Sequence, residues 1–296
     1  MSRAALAPIL HHVRATPLRT WSIIVTIFGD AILPRGGSVW LGTLLAFFES
    51  LDVAEGVVRT AVSRLTTDGW LERNRVGRNS FYHLGQRGRD VFHRAGEQIY
   101  RAHAPAWAGY LDMLLLDGNA SDEATRTALR EAGFACSGPG TWMAPGGTVA
   151  PPGITGALAL RSTSDLPTLL ALALRCWPLE KLASSYLQFL AAFEPLRASV
   201  DDDPPLTDRE AMFARVLLIH QYRRIALADP ILPPALLPMN WPGTAARALC
   251  SQLYPRLLPA SERWLDQNAL NEAGKLPPAT GVFARFVEGS PARGSC

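Results

Sequence analysis

The chain has 296 residues, a length that fits two or three domains of ~100 to 200 residues each. Hydrophobic residues make up 48% and charged residues 19%, with 24 Gly and 23 Pro, a globular composition that excludes disordered, collagenous and coiled-coil classes. The formal charge of +3 is unevenly placed: residues 1–103 hold 13 Arg against 8 acids, or +5, and the remainder sums to −2. Cys136, Cys176, Cys250 and Cys296 lie at least forty residues apart, which excludes a CxxC metal or redox motif and points to a reducing, cytoplasmic protein. The apolar stretch Trp21 to Phe28 follows His11, His12 and Arg14 and is cut by Asp30, too short and too late for a signal peptide. No run reaches the ~20 apolar residues of a membrane helix, so no membrane partner is expected.

Helical periodicity begins with Trp21, Ile24, Val25 and Phe28 at i, i+3, i+4 and i+7, a helix expected to stop at Gly29. Leu41, Leu44, Leu45 and Phe48 form a second face and Val58, Ala61, Val62 and Leu65 a third, joined by the short connection Glu49-Ser50-Leu51-Asp52. This is helix-turn-helix spacing. Gly69 suits the left-handed position after the third helix. Leu71 to Val76 and Ser80 to Leu84 then read as a hairpin around Gly77-Arg78-Asn79.

Arg73, Arg75, Arg78, Arg87 and Arg89 occupy seventeen residues that contain no acid. Three helices followed by an arginine-tipped hairpin predict an N-terminal winged helix-turn-helix, its third helix entering the major groove of double-stranded DNA. The core positions of that helix leave Arg59, Thr60, Ser63 and Arg64 facing outward, where Arg can read guanine bidentately. The wing residues Arg75, Arg78 and Asn79 would add mainly sequence-independent affinity.

The residues Ile24-Val25-Thr26-Ile27-Phe28-Gly29-Asp30, Arg35-Gly36-Gly37, Trp40-Leu41-Gly42, Val58 to Leu65 and Asp68-Gly69-Trp70-Leu71 resemble the PaaX family of repressors of phenylacetic acid degradation. The resemblance continues in Tyr186 to Leu190, Ile219-His220-Gln221-Tyr222-Arg223-Arg224, Asp229-Pro230, Leu232-Pro233-Pro234, Leu236-Leu237-Pro238 and Trp241-Pro242-Gly243. It covers roughly residues 18–267. The resemblance implies a repressor that leaves its operator on binding phenylacetyl-CoA or a related aryl-CoA thioester.

Between these parts, a helix with the stripe Phe92, Ala95 and Ile99 links the first domain to the rest. The apolar run from Trp107 to Leu116 reads as a strand. A helix opened by Ser121 and closed by Gly133 follows, then short strands at 134–136 and 141–143, the segment 158–161 and a helix over 166–176. Strand, helix, strand, strand, helix resembles a ferredoxin-like α/β sandwich, which the family resemblance also implies. Beyond it the chain reads as an all-helical C-terminal domain. Leu182, Tyr186, Phe189 and Phe193 share a face, and Thr207 to Glu210 is a capping box before Phe213, Val216 and Leu217. The fold class expected is α+β, with a winged helix-turn-helix at 18–88, a linker helix at 89–105, a ferredoxin-like domain at 106–178, a helical domain at 179–270 and a tail at 271–296.

Enzyme signatures are missing: there is no HExxH, GxSxG, phosphate loop or GxGxxG. The chain is therefore expected not to be an enzyme and to need no cofactor or metal. His11 and His12 fall in an N-terminus expected to be mobile, and His220 reads as a hydrogen-bonded core histidine. The run Asp201-Asp202-Asp203 beside two prolines reads as a solvated linker rather than a cation site. An anionic acyl-CoA with an apolar end calls for Arg combined with aromatics, which singles out Arg175, Trp177, Tyr222, Arg223, Arg224 and Trp241. Trp177 and Trp241 could equally be core. Arg223 and Arg224 could clamp phosphate oxygens or pair with Asp229 or their own helix C-terminus. The function these features imply is a homodimeric repressor of phenylacetate catabolism genes. An acyl-CoA-handling enzyme fused to a DNA-binding domain and a ligand-blind architectural protein are the other readings.

Overall fold

The structure is a computed structural model and describes residues 6–15, 19–100, 106–116, 122–154, 156–200 and 205–286. It is a mixed, α+β fold that divides into two compact units. The first comprises Met1–Ala102, Tyr186–Leu227 and Thr244–Cys296; the second comprises His103–Ser185 and Ala228–Gly243.

The chain begins in the first unit with α1 (Leu6–Ala15), which buries Leu6, Ile9 and Val13. The expectation of a mobile N-terminus is thus corrected: apolar residues at i, i+3 and i+7 give this segment a face to bury. Helix α2 (Thr20–Ile27) continues without a break into a π turn, Phe28–Ile32, and a 3-10 turn, Leu33–Arg35. The helical path therefore passes Gly29, where the sequence predicts a stop, and ends at Gly36, whose φ is 90°. Gly29 serves packing instead. A Cβ there would lie 2.2 Å from the Phe92 ring, which only glycine admits.

Strand β1 (Ser38–Trp40) leads into α3 (Leu41–Glu49), α4 (Glu55–Thr67), β2 (Leu71–Val76), β3 (Asn79–Leu84) and α5 (Gln86–Tyr100). Leu44, Phe48, Val58, Val62 and Leu65 are buried, as helical periodicity requires, and α4 ends where Gly69 takes φ 73°. The hairpin loop is Gly77-Arg78, one residue shorter than predicted, with Val76 opposite Asn79. The strands form an antiparallel sheet of order β1-β3-β2. Three-residue β1 is too short to show a period of two in the sequence.

The second unit holds β4 (Leu111–Leu115), α6 (Glu123–Glu131), β5 (Ala135–Gly138), β6 (Thr141–Pro145), β7 (Leu158–Ser162) and α7 (Leu166–Cys176). The N-cap of α6 is Asp122, whose side chain accepts from the Thr125 N–H, not Ser121, which lies outside the described residues. The sheet is wholly antiparallel with order β5-β6-β4-β7. Leu114, Leu116, Leu129, Phe134, Trp142 and Ala144 form its core. Segment 158–161 lies within an edge strand, and α7 follows that strand, whereas the βαββαβ order puts the second helix before it.

Helix α8 (Leu179–Phe193) and the short α9 (Leu196–Ser199) precede α10 (Asp208–Ala226). The Thr207–Glu210 capping box is formed in both directions. The acidic run Asp201 to Asp203 lies outside the described residues. Helix α11 (Pro242–Asn268) runs through Pro255 and Pro259, and a small hairpin of β8 (Leu270–Asn271) and β9 (Gly274–Lys275) follows. In the first unit Phe189, Phe193, Phe213, Leu217, Leu253, Tyr254, Leu257 and Phe286 are all buried. No helix among the described residues is long and apolar enough to cross a membrane.

Candidate nucleic-acid interface and effector residues

Helix α4 buries Val58, Val62 and Leu65 and thereby turns Arg59, Thr60, Ser63 and Arg64 outward, all exposed. Arg59 bonds Glu55 one turn earlier at 3.2 Å, and Arg64 lies 3.8 Å from Asp68. Such exposed i,i+4 pairs contribute little, so both guanidinium groups can exchange partners. The Thr60 hydroxyl donates to the Gly56 carbonyl at 2.7 Å, while its oxygen keeps acceptor capacity.

In the hairpin, Arg75, Arg78 and Asn79 are exposed. Arg75 donates to the Gly77 carbonyl at 3.2 Å, and Arg73 holds the Ser80 hydroxyl across the ladder at 2.8 Å. Arg87 lies over the Trp70 ring at 5.3 Å and donates to the Asp68 carbonyl. The small C-terminal hairpin braces this sheet: Glu272 Oε2 accepts from Ser38 on β1 at 2.7 Å, and its Oε1 accepts from Asn74 on β2 at 3.3 Å. Sequence reasoning missed Glu272, because nothing local marks a residue beyond 267 as a partner of residues 38 and 74.

Helix α2 packs against α4, and the π turn after it carries Asp30 into a buried ionic cluster. Asp30 Oδ2 accepts from Arg215 Nε at 2.7 Å, and Oδ1 accepts from Tyr100 at 2.7 Å, Tyr254 at 2.8 Å and Arg285 at 2.8 Å. Burial alone would raise this carboxyl's pKa. The charges of Arg215 and Arg285, with the two phenol donors, overcome that and hold it below the ordinary value. Arg215, fully buried, also donates to Glu262 at 2.6 Å, and Glu262 accepts from Arg35 at 2.7 Å. Arg35 reaches Asp266 as well and donates to the Pro277 carbonyl at 2.9 Å. Three guanidinium groups thus meet three carboxylates, the condition under which buried charge is tolerable. A cleft of about 270 Å³ opens beside Arg35. Arg35 is already held there by two carboxylates, so the cleft has no free cation for an anionic ligand.

Of the residues singled out for an effector, Arg175, Trp177 and Trp241 belong to the second unit. Arg175 is exposed in the last turn of α7, Trp177 is the buried C-cap of that helix, and Trp241 is buried. Tyr222, Arg223 and Arg224 belong to the first unit. Tyr222 is buried against Phe189 and Phe286, with centroids at 5.8 Å and 5.9 Å. Arg223 donates to Thr26 Oγ1 at 2.8 Å and to the Ser22 carbonyl and hydroxyl at 2.9 Å each, and Arg224 is exposed. His220 is a buried histidine 3.0 Å from Thr26 Oγ1, matching its core reading. Burial, followed by the charges of Arg223 and Arg224, pushes its pKa down to about 3.

The arginines of α4 and the hairpin are thus exposed, whereas every arginine of the ionic cluster is matched by a carboxylate. This chain belongs to the PaaX-like protein family. Residues 19–88 match the PaaX-like protein model, and residues 177–267 match the PaaX-like protein C-terminal domain. It is 36% identical to the transcriptional repressor PaaX of Escherichia coli (strain K12), over 94% of this chain and 93% of that one. A solved structure of an uncharacterized protein from Mycobacterium tuberculosis is similar at 23% identity and a TM-score of 0.49, over 75% of this chain and 88% of that one.

Proposed function

We propose that this protein is a ligand-responsive transcriptional repressor of phenylacetate catabolism genes. In this reading α3, α4 and the β2–β3 hairpin form a winged helix-turn-helix, and the second unit is a ferredoxin-like sandwich with its second helix displaced past the last strand. A homodimer would bind the two halves of an operator in double-stranded DNA. Arg59, Thr60, Ser63 and Arg64 would meet base edges and phosphates in the major groove, while Arg75, Arg78 and Asn79 would add backbone contacts. The observation that carries this reading is the exposure of all seven side chains on one helix and its following hairpin, in a member of a repressor family.

The effector would be an aryl-CoA thioester such as phenylacetyl-CoA, and the candidates to meet it are Tyr222, Arg223 and Arg224 within the first unit, or Arg175, Trp177 and Trp241 within the second. A hundredfold loss of operator affinity requires roughly 2.8 kcal/mol of coupling, within the range of allosteric proteins. The test is a fluorescence-anisotropy titration on promoter DNA next to the protein's own gene, repeated with phenylacetyl-CoA, free phenylacetate and CoA. Release by the thioester alone is the expected result. Tight binding indifferent to all three would remove the effector, and absence of sequence-specific binding would overturn the repressor reading.

A further inference from the structure

Arg223 stands apart from Arg35, Arg215 and Arg285, each of which meets a carboxylate. Its Nε and Nη2 are spent on neutral oxygens of Ser22 and Thr26, and its Nη1 has no acceptor among the described residues. A part-buried guanidinium with no counter-ion and an idle pair of N–H groups is costly. Its neighbours increase the imbalance. Arg224, next in sequence, touches only the neutral Gln221 side chain at 3.5 Å. Burial pulls the Arg223 pKa down to about 10, with Arg224 adding to the shift and Tyr100 opposing it. His12 on α1 feels the same field: burial, then the charges of Arg224 and His11, hold its imidazole below its ordinary pKa. Helix α10 thus sets Arg223 against the Ser22 and Thr26 hydroxyls of α2, and among the described residues no carboxylate pairs with Arg223 or Arg224.

We propose that Arg223 Nη1 and the Arg224 guanidinium hold a phosphate-class anion over the Ser22–Thr26 turn of α2. Paired guanidinium groups provide several fixed donors for phosphoryl oxygens, and the anion would supply the missing counter-charge. This deepens the effector reading and rests on it for the anion's source: in a CoA thioester the group would be the diphosphate or the 3′-phosphate. Free diphosphate offers the same chemistry.

The test is calorimetric titration of the full-length protein with inorganic diphosphate, phenylacetyl-CoA and phenylacetyl-pantetheine, which lacks the phosphates. Wild type is compared with Arg224→Ala, an exposed change, and Arg223→Gln. Phenylacetyl-CoA is expected to bind tightly and phenylacetyl-pantetheine poorly, and both variants should weaken the thioester and diphosphate roughly tenfold or more. If Arg224→Ala binds phenylacetyl-CoA like wild type, or the pantetheine ester binds as tightly as the thioester, the anion site is refuted while the effector reading survives. If diphosphate binds in an Arg224-dependent way and the thioester does not bind, the site stands for a free phosphate compound and the effector reading falls. Failure of both ligands to bind overturns the site.

Discussion

Replacing Asp30 by Asn removes one charge from the ionic cluster while preserving side-chain volume, so no cavity contributes to the effect. Asp30 is 1% exposed and accepts from Arg215, Arg285, Tyr100 and Tyr254. After the substitution Arg285 loses its carboxylate, Arg215 keeps only Glu262, and an amide NH₂ faces donors it cannot satisfy. Removal of one partner from a buried ion pair costs about 3 to 5 kcal/mol. At roughly 2 to 4 °C per kcal/mol for a unit of this size, the melting temperature should fall by ~6 to 20 °C. Urea unfolding followed by circular dichroism should show a lower midpoint at unchanged slope. Adding Arg285→Leu to Asp30→Asn should cost less than the two single changes together, because the second removes a cation that the first left unmatched. The lowered pKa of Asp30 sets the pH range. Its contribution is present above the ordinary unfolded carboxylate pKa and disappears as pH falls through the lower folded value. A stability loss below 1 kcal/mol for Asp30→Asn at pH 7 would refute the claim that Arg215 and Arg285 depend on the Asp30 carboxylate for their counter-charge.

On DNA, Arg59→Ala is expected to cost ~1 to 3 kcal/mol and relax base preference at one operator position, whereas Arg78→Ala should weaken specific and random sequences alike and flatten the salt dependence; anisotropy titrations at several salt concentrations distinguish them. Glu272→Ala should lower operator affinity roughly threefold with little change in melting temperature, because its two acceptors brace Ser38 and Asn74, and wild-type affinity in that variant would exclude the brace. His220, with its folded pKa near 3 and an ordinary unfolded value of 6.5, binds a proton more readily in the unfolded state. It should therefore reduce stability as pH falls from about 6.5 toward 3, by up to about 1.4 kcal/mol per pH unit. A His220→Gln variant with the same acid slope as wild type in denaturant titrations would show that His220 does not carry it.

Helix α11 shows how local rules can yield to packing. Pro255 and Pro259 each remove an N–H from the helical ladder, and read alone they argue for a break. Leu253, Tyr254, Leu257, Leu258 and Leu265 are fully buried around them, and this burial outweighs the lost hydrogen bonds. The π turn at Phe28–Ile32 is similar. Gly29 reads as a stop in isolation, yet the chain stays helical because Phe92 occupies the space beside it and Asp30 must reach two arginines from distant segments.

Helices α3 and α4 and the hairpin after them were legible because their information is local: a 3.6-residue apolar stripe, a left-handed Gly69 and a glycine-bearing turn need no distant partner, whereas α1, β1 and the helical path past Gly29 were not read. The outward set Arg59, Thr60, Ser63 and Arg64 follows from the same stripe, and the capping box at Thr207 and the core placement of His220 were also readable from spacing. Arg215 carried one weak signal, a charged residue inside the apolar run Phe213 to Leu218, but its partners could not be inferred. Asp30, Tyr100, Arg215, Tyr254, Glu262 and Arg285 come from segments separated by up to 255 positions. No periodicity links them, and burial of a charge is decided only when the counter-charge arrives through the fold. The same holds for Arg223: the sequence shows a pair of arginines at a helix end, and only the tertiary structure leaves one of them among neutral oxygens without a carboxylate.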